Sequence, residues 1–461
     1  MIEMIINTND ISNLTSNVNN GISDSELKIL LVDTWSNFSN LEADWNRLAE
    51  TSAAHIYQTH TWLSTWWKYY NDQKNDSLFI LIFYHRDNIV GIAPFYLQTD
   101  SVFGIKFYRR LCLLASGNAF NKSFGIFLDD GPSDYLDIIV KPGYEKSVPD
   151  TLSDFLIENS SKFDEINLLN IREDSKINNH LLPALQHKGF EYQISFADVC
   201  PYMTTPSSVE KFLNERHQSV KRRLVQSWKA AKEGSIFSIR MVSTTDDYQE
   251  SISRLIQLHQ SRWNKIGYPG FFASNQYRLF FSDIIMQFNR NGWLWFKTAH
   301  DGEHCIAGRL AFRFNDRLYD YLTGFDESTP AAKRRPGLAL LIEMIDDAVR
   351  EKIAVIDLLR GNEAYKFEFT NTLIHNSNIR LRLPSQGKAI SNYALQILKF
   401  ISFIRFIFNK EIELFKIQNK NHAFPLSFFY YFRFRSPMLL KKVKNRFLKI
   451  NKTNNYIDKS E

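Results

Sequence analysis

Residues 333–344, KRRPGLALLIEM, place three cations and a Pro-Gly pair directly before an apolar stretch with helical spacing. The N-terminus of a helix already carries partial positive charge from the aligned peptide dipoles, so added cations are unfavourable there unless an anion binds. Pro336 costs no hydrogen bond in the first turn, and Gly337 lets an anion approach the unpaired backbone N–H groups closely. The pattern therefore predicts a cradle for a pyrophosphate, formed by Lys333, Arg334, Arg335, Gly337, Leu338 and Ala339.

Other phosphate, nucleophile and metal chemistries lack their signatures in this sequence. The Walker pattern and the G-x-G-x-x-G fingerprint are both missing, and the motif that is present is R-x-x-G-x-A, from Arg334 to Ala339. No Ser-His-Asp or Cys-His arrangement is evident. The three cysteines, Cys112, Cys200 and Cys305, are far apart and form no C-x-x-C pair. We therefore expect no bound metal, no disulfide framework and a reducing, cytoplasmic location.

The elements around the motif predict an α/β unit that positions the helix start. Residues 293–314 have the pattern of two strands joined by a turn, and the alternation in the second strand predicts that it is half-buried, with Arg309 on its polar face. A third strand at 318–324 leads through a polar loop into an amphipathic helix that begins at Gly337. A continuous apolar run at 354–361 predicts a strand buried on both faces. The motif thus lies between a strand and a helix N-terminus.

The first half of the chain repeats this layout. Residues 78–97 have the same strand, turn and strand pattern as 293–314, and 164–171 corresponds to the buried strand at 354–361. The length of 461 residues also favours two domains. We expect an α/β protein of two tandem units, each a mixed sheet flanked by helices. The predicted divisions are a disordered extension at 1–28, a first unit at 29–199, a second unit at 200–387 and a basic, aromatic-rich helical tail at 388–461.

The formal charge of +6 is distributed unevenly along the chain. Residues 388–461 hold 15 Lys and Arg against 4 Asp and Glu, whereas residues 1–387 hold 41 against 46. The tail mixes Phe, Ile and Leu with its cations, which is typical of a helix on an anionic membrane surface. The alternative is that its aromatic side chains pack on the body of the protein. No run reaches the roughly 20 apolar residues of a membrane span, and the N-terminus lacks the pattern of a signal peptide.

Between a strand and an amphipathic helix, R/Q-x-x-G-x-G/A resembles the acyl-CoA pyrophosphate loop of the GNAT acetyltransferase superfamily. Roughly residues 41–384 are similar to the CelD-type branch, which has two GNAT-like units in tandem, as the FemABX aminoacyl transferases do. The first unit has only KPGYEKS (141–147) after its corresponding strand, so we expect the second unit to bind the cofactor and the first to shape the acceptor cleft. Besides the motif, the similar segments are 43–67, 86–96, 133–140, 258–263 and 356–369.

The resemblance implies that acetyl-CoA is the co-substrate and that an acceptor amine attacks its thioester directly. The pantetheine arm is expected between strands 318–323 and 353–359. Tyr365 is the candidate acid for the leaving thiolate, although an ordinary core aromatic is an equally open interpretation. Glu363 and His259 are the candidate bases.

Candidate residues for acceptor binding lie mainly on predicted helices and near the last strand. The basic face of a helix predicted at 210–234 could dock a phosphorylated or nucleotide-linked acceptor, or could simply be solvated. Asp357 interrupts a strand that is otherwise apolar, and Arg360 or Lys366 could pair with it and order the turn that follows. The residues expected to contact the acceptor are Arg262, Trp263, Arg222, Arg223, Asp357, Arg360 and Lys366.

These features together predict an acyl-CoA-dependent acyltransferase, in the first place an N-acetyltransferase that acts on a sugar or polysaccharide precursor. A location at the inner face of the membrane would follow if the tail binds lipid. Two alternatives stay open: a Fem-like transferase that takes an aminoacyl group from a charged tRNA, and a non-catalytic scaffold of a polysaccharide-assembly cluster. No specific nucleic acid is expected as a partner, because no recognised binding module is present and the body is net acidic.

Overall fold

The structure is a computed structural model, and it describes residues 27–102, 105–117, 131–232, 236–242, 248–265 and 270–383. The predicted tail at 388–461 and all but two residues of the predicted extension at 1–28 lie outside the described residues. Within the described ranges, no helix combines the length and the apolar character that a membrane span requires. The same ranges contain no group of three or more His, Cys, Asp or Glu side chains that could hold a metal ion.

The described residues form a mixed α/β structure. Its strands are β1 (Lys28–Val32), β2 (Asp76–His85), β3 (Asn88–Val102), β4 (Ile105–Leu113), β5 (Ile139–Val140), β6 (Glu165–Arg172), β7 (Glu191–Thr204), β8 (Ser238–Met241), β9 (Leu294–Asp301), β10 (His304–Phe314), β11 (Arg317–Phe325), β12 (Val355–Asp357) and β13 (Leu373–Arg382). Its α-helices are α1 (Trp35–Ser39), α2 (Glu42–Thr51), α3 (His60–Tyr70), α4 (Ser147–Glu158), α5 (Leu182–His187), α6 (Val209–Asn214), α7 (Gln218–Lys232), α8 (Tyr248–Lys265), α9 (Asn275–Arg290), α10 (Pro336–Arg350) and α11 (Lys366–Phe369). Short 3₁₀ turns and one π-helical turn, Ile177–Leu181, connect them.

All strands belong to one sheet, in the order β1-β2-β3-β4-β6-β13-β7-β12-β11-β10-β9-β8, with β5 paired to β3. The two predicted units appear as two halves of this sheet. Each half has an antiparallel hairpin and a third strand, then a helix, then a strand that pairs in parallel with the third one: β4 with β6, and β11 with β12. The fold class predicted from the repeated layout is therefore confirmed.

Strand β7 joins the two halves. Its first residues pair with β13, and Tyr202, Met203 and Thr204 pair with β12. Strand β13 comes from the end of the second unit but lies between β6 and β7 of the first. The expected boundary between residues 199 and 200 falls inside β7, and the division into units at that residue stays a prediction.

The local patterns predicted both hairpins, and three details differ. The helix predicted at 210–234 is two helices, α6 and α7, because the chain breaks after Asn214 and restarts at Gln218. Strand β12 covers only Val355–Asp357, since the chain then turns away from β11. The polar face of β10 is not exposed: Arg309 is 2% exposed, because helices cover both faces of this half of the sheet.

The helices around β10 and β11 explain that burial. On one face, α8 packs so closely that a Cβ on Gly324 would lie 2.8 Å from the backbone nitrogen of His259. On the other face, Ala311 and Leu318 of the sheet pack with Leu341 and other residues of α10. The apolar positions of α10 recur at helical spacing and are buried as its amphipathic pattern predicts: Leu340, Leu341, Met344, Ile345 and Ala348. Helix α10 is thereby fixed with its N-terminus at the end of β11.

Contacts between the two halves are extensive. Trp62 of α3 is fully buried, with its ring centroid 5.1 Å from that of Phe280 in α9. The Lys68 Nζ and the Asp283 Oδ2 of the same two helices are 2.8 Å apart. The two units therefore share a hydrophobic core.

Candidate active site

The start of α10 has the features of an anion site. Arg335 caps the helix in the left-handed conformation, with φ 53° and ψ 63°, and its carbonyl accepts the N–H groups of Leu338 and Ala339. Ser227 Oγ of α7 donates to the same carbonyl at 2.8 Å and supports this strained residue. A Cβ on Gly337 would meet only the Phe325 ring, at 3.7 Å. Pro336 has no N–H, and those of Leu338 and Ala339 donate to Arg335 O, so the Gly337 N–H is the first-turn donor that faces this open space.

Cations surround this helix start. Lys333, Arg334 and Arg335 are exposed, and none of the three has an ion-pair partner within the described ranges. Arg262 of α8, predicted to bind the acceptor, instead lies on this corner, with its guanidinium 5.3 Å from the centroid of the Phe325 ring. Beside Lys333 and Arg334 is an open depression of about 490 Å³, lined by Ile236, Asp301, Pro330, Ala331, Lys333 and Arg334. The charge and the space suit a nucleotide diphosphate.

Strands β11 and β12 separate next to this corner. Their parallel pairing covers only three residue pairs and ends at Tyr319 opposite Asp357. Beyond that point β11 continues to Phe325. The segment that follows β12 instead stays next to β7, where Leu358 N–H donates to Pro201 O and Gly361 N–H donates to Val199 O. No backbone hydrogen bond between residues 320–325 and 358–361 is present in this described part of the sheet. A wedge therefore opens between the strands.

Asp357 fixes the turn that opens the wedge. Its Oδ1 accepts the Leu359 N–H at 3.0 Å, and Leu359 has the left-handed φ of 59°, which is unusual for a branched residue. The pairing predicted from sequence is wrong: the side-chain partners of Asp357 are Tyr135 Oη at 2.8 Å and Arg317 Nη1 at 3.3 Å, not Arg360 or Lys366. Both predicted partners are engaged elsewhere, Arg360 with Asp134 and Lys366 with Glu363.

The corresponding wedge of the first unit is filled by its own chain. Strands β4 and β6 also share only three pairs, ending at Cys112 opposite Asn167. Residues 133–136 occupy the gap: Leu136 N–H donates to Asn170 O at 3.1 Å, Asn170 Nδ2 to Ser133 O at 3.0 Å, and Ser133 Oγ to Ala115 O at 3.0 Å. The expectation that only the second unit binds a cofactor stays a prediction.

Tyr365 lies at the inner end of the second wedge. The Arg309 guanidinium is 6.0 Å from the centroid of its ring. Burial raises the pKa of Tyr365, and the nearby Asp320 carboxylate raises it further, so the phenol stays protonated at neutral pH. Glu363, the nearby candidate base, pairs with Lys366 at 3.0 Å, and Lys366 Nζ also donates to the carbonyls of Leu359 and Arg360. Lys366 thus holds the loop rather than facing an acceptor.

His259, the other candidate base, lies apart from Tyr365 and Glu363. It lies on α8, across the sheet from α10, and is buried. Burial lowers the pKa of His259 to about 4, so the imidazole is neutral at pH 7. Its Nε2 accepts the Trp263 indole N–H at 2.9 Å, which occupies the lone pair that a base would use. Trp263 is engaged in the same contact.

The remaining candidate acceptor residues are dispersed. Arg223 pairs with Glu368 at 2.5 Å within the second unit, whereas Arg222 is exposed. Arg360 reaches into the first unit, with its Nε 3.0 Å from Asp134 Oδ1 and its Nη2 2.7 Å from Gly131 O. The structure therefore does not bring these residues together in one acceptor site, and their predicted contacts with an acceptor stay untested.

Comparison of the sequence with protein-family models shows which type of domain contains this site. A family model described as the Acetyltransferase (GNAT) domain matches residues 218–367, which include α7, α10, β11, β12 and the wedge. Residues 218–367, about a third of the chain, match the GNAT domain. The superfamily resemblance carried by the motif is thus confirmed, and the domain is of an acyltransferase type.

Solved structures include one whose fold is similar over about three quarters of this chain. The crystal structure of FemX has a TM-score of 0.52 at 9% identity, covering 74% of this chain and 95% of that one. The structure of L-PGS from Bacillus licheniformis has a TM-score of 0.43 at 10% identity (78% and 96%), and a tandem GNAT protein from the clavulanic acid biosynthesis pathway one of 0.38 at 10% identity (77% and 98%). At these identities the FemX likeness bears on the fold alone, and the two lower scores support nothing further. No curated protein matches the sequence.

Sequence reasoning missed several residues of the GNAT domain's site. Arg309 and Asp320 have the pattern of ordinary polar positions on half-buried strands, and only their burial singles them out. Ser227 supports the cap of α10 from a helix more than a hundred residues away, which no local pattern signals. In the sequence, residues 133–136 are only part of a segment of resemblance, and the fold alone shows that they fill the first wedge.

Proposed function

We propose that this protein is an acyl-CoA-dependent acyltransferase that transfers an acetyl group directly to an amine of a sugar or polysaccharide precursor. The observation that carries the proposal is the combination, in one GNAT domain, of an unobstructed helix start at Gly337 and a wedge between β11 and β12. An extended thioester substrate needs both, a site for its diphosphate and a path for its arm into the sheet. Closure of the first wedge leaves one such site in the described residues.

The chain's own residues supply the remaining requirements of direct transfer. The Gly337 N–H at the start of α10 and the cations at 333–335 bind the diphosphate. In β11 the register shift opposite Leu310 and Ala311 leaves Tyr321 as an extra residue beside the wedge, so its backbone is outside the regular pairing and can face the reacting carbonyl. Tyr365 can supply a proton to the leaving thiolate, because its phenol is protonated at neutral pH and lies beside the wedge.

Replacing Tyr365 with Phe tests the role of its proton. The ring and its packing beside Arg309 stay, so we expect unchanged acetyl-CoA affinity and a fall in kcat of about 10²–10⁴-fold, the usual contribution of a positioned acid. Stopped-flow detection of released thiol measures the rate. Tyr248→Phe is the matched control, since its hydroxyl donates to Ile285 O away from the wedge. Equal rates in Tyr365→Phe and wild type would leave Tyr365 as a packing residue.

Two other functions remain as alternatives, and one experiment separates all three. Purified protein is incubated with radiolabelled acetyl-CoA and a panel of amino sugars and nucleotide-linked amino sugars, and in parallel with a charged tRNA. Label transferred from acetyl-CoA to an amino sugar supports the proposal. Transfer only from the charged tRNA supports an aminoacyl transferase, and binding of acetyl-CoA without any transfer supports a scaffold.

For the tail we propose attachment to an anionic membrane surface, supported by its excess of cations over acidic residues and its aromatic content. Liposomes containing anionic lipid are floated with the full-length chain and with residues 1–387. We expect the full-length protein to float at low salt and the shortened chain to stay at the bottom of the gradient. Equal flotation of both proteins would exclude the tail as the anchor.

A further inference from the structure

Strand β7 carries an exposed apolar row, formed by Tyr192, Ile194 and Phe196. These side chains are 38%, 51% and 65% exposed, and alternate residues of a strand point to the same face of the sheet. In the described part of the sheet, residues 191–196 pair only with β13, so this stretch of β7 is also an edge. Proteins usually cover an apolar edge, because an exposed one invites association with other chains.

The apolar row continues a face that is buried on the neighbouring strand. Ile194 lies directly opposite Ile379 of β13, and Tyr192 lies opposite Leu381. Opposite residues of an antiparallel pair have their side chains on the same face. Ile379 and Leu381 are nevertheless completely buried in the hydrophobic core. The layer that covers β13 therefore stops one strand short, and one further element beside it would bury the apolar row.

The chain leaves the sheet beside the apolar row. The last pair of β7 and β13 joins Glu191 to Arg382, next to Tyr192. Leu383 is partly buried against the same core. The chain that continues from Leu383, residues 384–461, lies outside the described residues and is attached at one end of the row.

The first apolar run after β13 is ALQILKFISFIRFIF, residues 394–408. Residues spaced three and four apart in this run would share one helical face that is entirely apolar: Ile397, Phe400, Ile401, Ile404 and Phe408. The opposite face of such a helix would carry Lys399, Ser402 and Arg405. The run thus has the pattern of a helix that buries one side and exposes the other.

The lengths of these segments are compatible. A helix over residues 394–408 is about 22 Å long, and the apolar row extends over about 14 Å of strand. The ten residues between Leu383 and Ala394 span up to about 35 Å when extended. They can therefore bring the start of the helix to either end of the row.

We propose that residues 394–408 form a helix that packs on β7 and covers Tyr192, Ile194 and Phe196. The proposal does not depend on the acyltransferase activity. Residues 388–408 hold three of the 15 Lys and Arg of the tail, so twelve follow residue 408. The first part of the tail then belongs to the body of the protein, and the later part keeps most of the charge for the membrane.

Photocrosslinking in the full-length protein tests what covers the apolar row. Phe196 is replaced by p-benzoyl-phenylalanine, which keeps an aromatic ring there and joins to neighbouring groups under ultraviolet light. An equal mixture of unlabelled and isotope-labelled protein separates links within a chain from links between chains. We expect links within the chain from position 196 to residues 394–408. The same group at Leu279, which is 49% exposed on α9, is the matched control and should not join to residues 394–408.

Hydrogen exchange of the full-length protein gives an independent readout. Ile194→Glu puts a charge in the middle of the apolar row, and the fold tolerates it because that side chain is half exposed, which circular dichroism checks. We expect the amides of residues 394–408 to exchange about tenfold or more faster in this variant, because the helix loses its docking surface. Leu279→Glu adds the same charge to another exposed apolar residue and should leave their exchange unchanged.

Either the absence of any link from position 196 to residues 394–408 or unchanged exchange in Ile194→Glu overturns the proposal. Links only between labelled and unlabelled chains would instead make the apolar row an interface between two copies. Links only to lipid, with anionic liposomes present, would show that the row itself contacts the membrane.

Discussion

Gly337→Glu is expected to abolish acetyl-CoA binding while leaving the fold intact. The new Cβ finds room, because it would meet only the Phe325 ring at 3.7 Å, so the protein tolerates the larger residue. The carboxylate is even favourable for the helix itself, since it lies at the positive end of the dipole. It would, however, compete for the N–H groups and cations that the diphosphate needs. We expect an affinity loss of about a hundredfold or more, from lost charge-assisted hydrogen bonds and repulsion.

Calorimetry with acetyl-CoA measures this loss, and a thermal melt shows that the variant is folded. Gly337→Ala is the control, because it adds the same Cβ without charge and should weaken binding much less. Arg335→Ala removes one cation from the same corner and should give an intermediate loss. Wild-type affinity in Gly337→Glu would mean that the start of α10 does not hold the ligand.

Asp357→Asn is expected to destabilise the whole chain. The Asp357 carboxylate is fully buried and faces Arg317 and, at 3.8 Å, Arg172 of the first unit. The amide keeps the shape and can still accept the Leu359 N–H, but it removes the carboxylate that pairs with Arg317 and the more distant of the two carboxylates near Arg172, which stays paired with Asp174. Breaking a buried pair in this way typically costs about 3–5 kcal/mol. Urea unfolding should show this decrease in the free energy of unfolding.

The pair Arg313–Glu351 provides the control for Asp357. Its side chains are about 42% and 34% exposed, so Glu351→Gln should cost less than about 1 kcal/mol. A second readout tests the role of Asp357 in opening the wedge. If the turn at Leu359 relaxes when the charge is removed, acetyl-CoA affinity should fall along with stability. An Asp357→Asn protein as stable as wild type would contradict the network described here.

The two hairpins and the start of α10 could be predicted because each depends on a pattern of residues that are close together in the sequence. The hairpins at 78–97 and 293–314 combine alternating residues with turn residues, and the helix start at Pro336 has a Pro-Gly signature that acts within one turn. The placement of Lys333, Arg334 and Gly337 at one corner follows from these elements alone. No longer-range information was needed to expect an anion there.

The features that could not be predicted from sequence depend on contacts between residues far apart in the chain. Strand β13 completes the first half of the sheet although it comes last in the described chain, and no local signal in residues 373–382 specifies that position. Arg309 looked like a solvent-facing residue, because its strand alternates and the covering by α10 is a tertiary feature. Asp357 draws its partner Tyr135 from 222 residues earlier in the chain. The expectation that Asp357 pairs with the nearby cations Arg360 and Lys366 was therefore wrong.

The most direct test of the central claim is a crystal structure of the protein with coenzyme A bound. We predict that the diphosphate oxygens lie within hydrogen-bonding distance of the Gly337 N–H at the start of α10 and beside the cations at 333–335. We also predict that the arm passes between β11 and residues 358–361. A diphosphate bound elsewhere, or an arm that stays outside a wedge filled by side chains, would contradict the account.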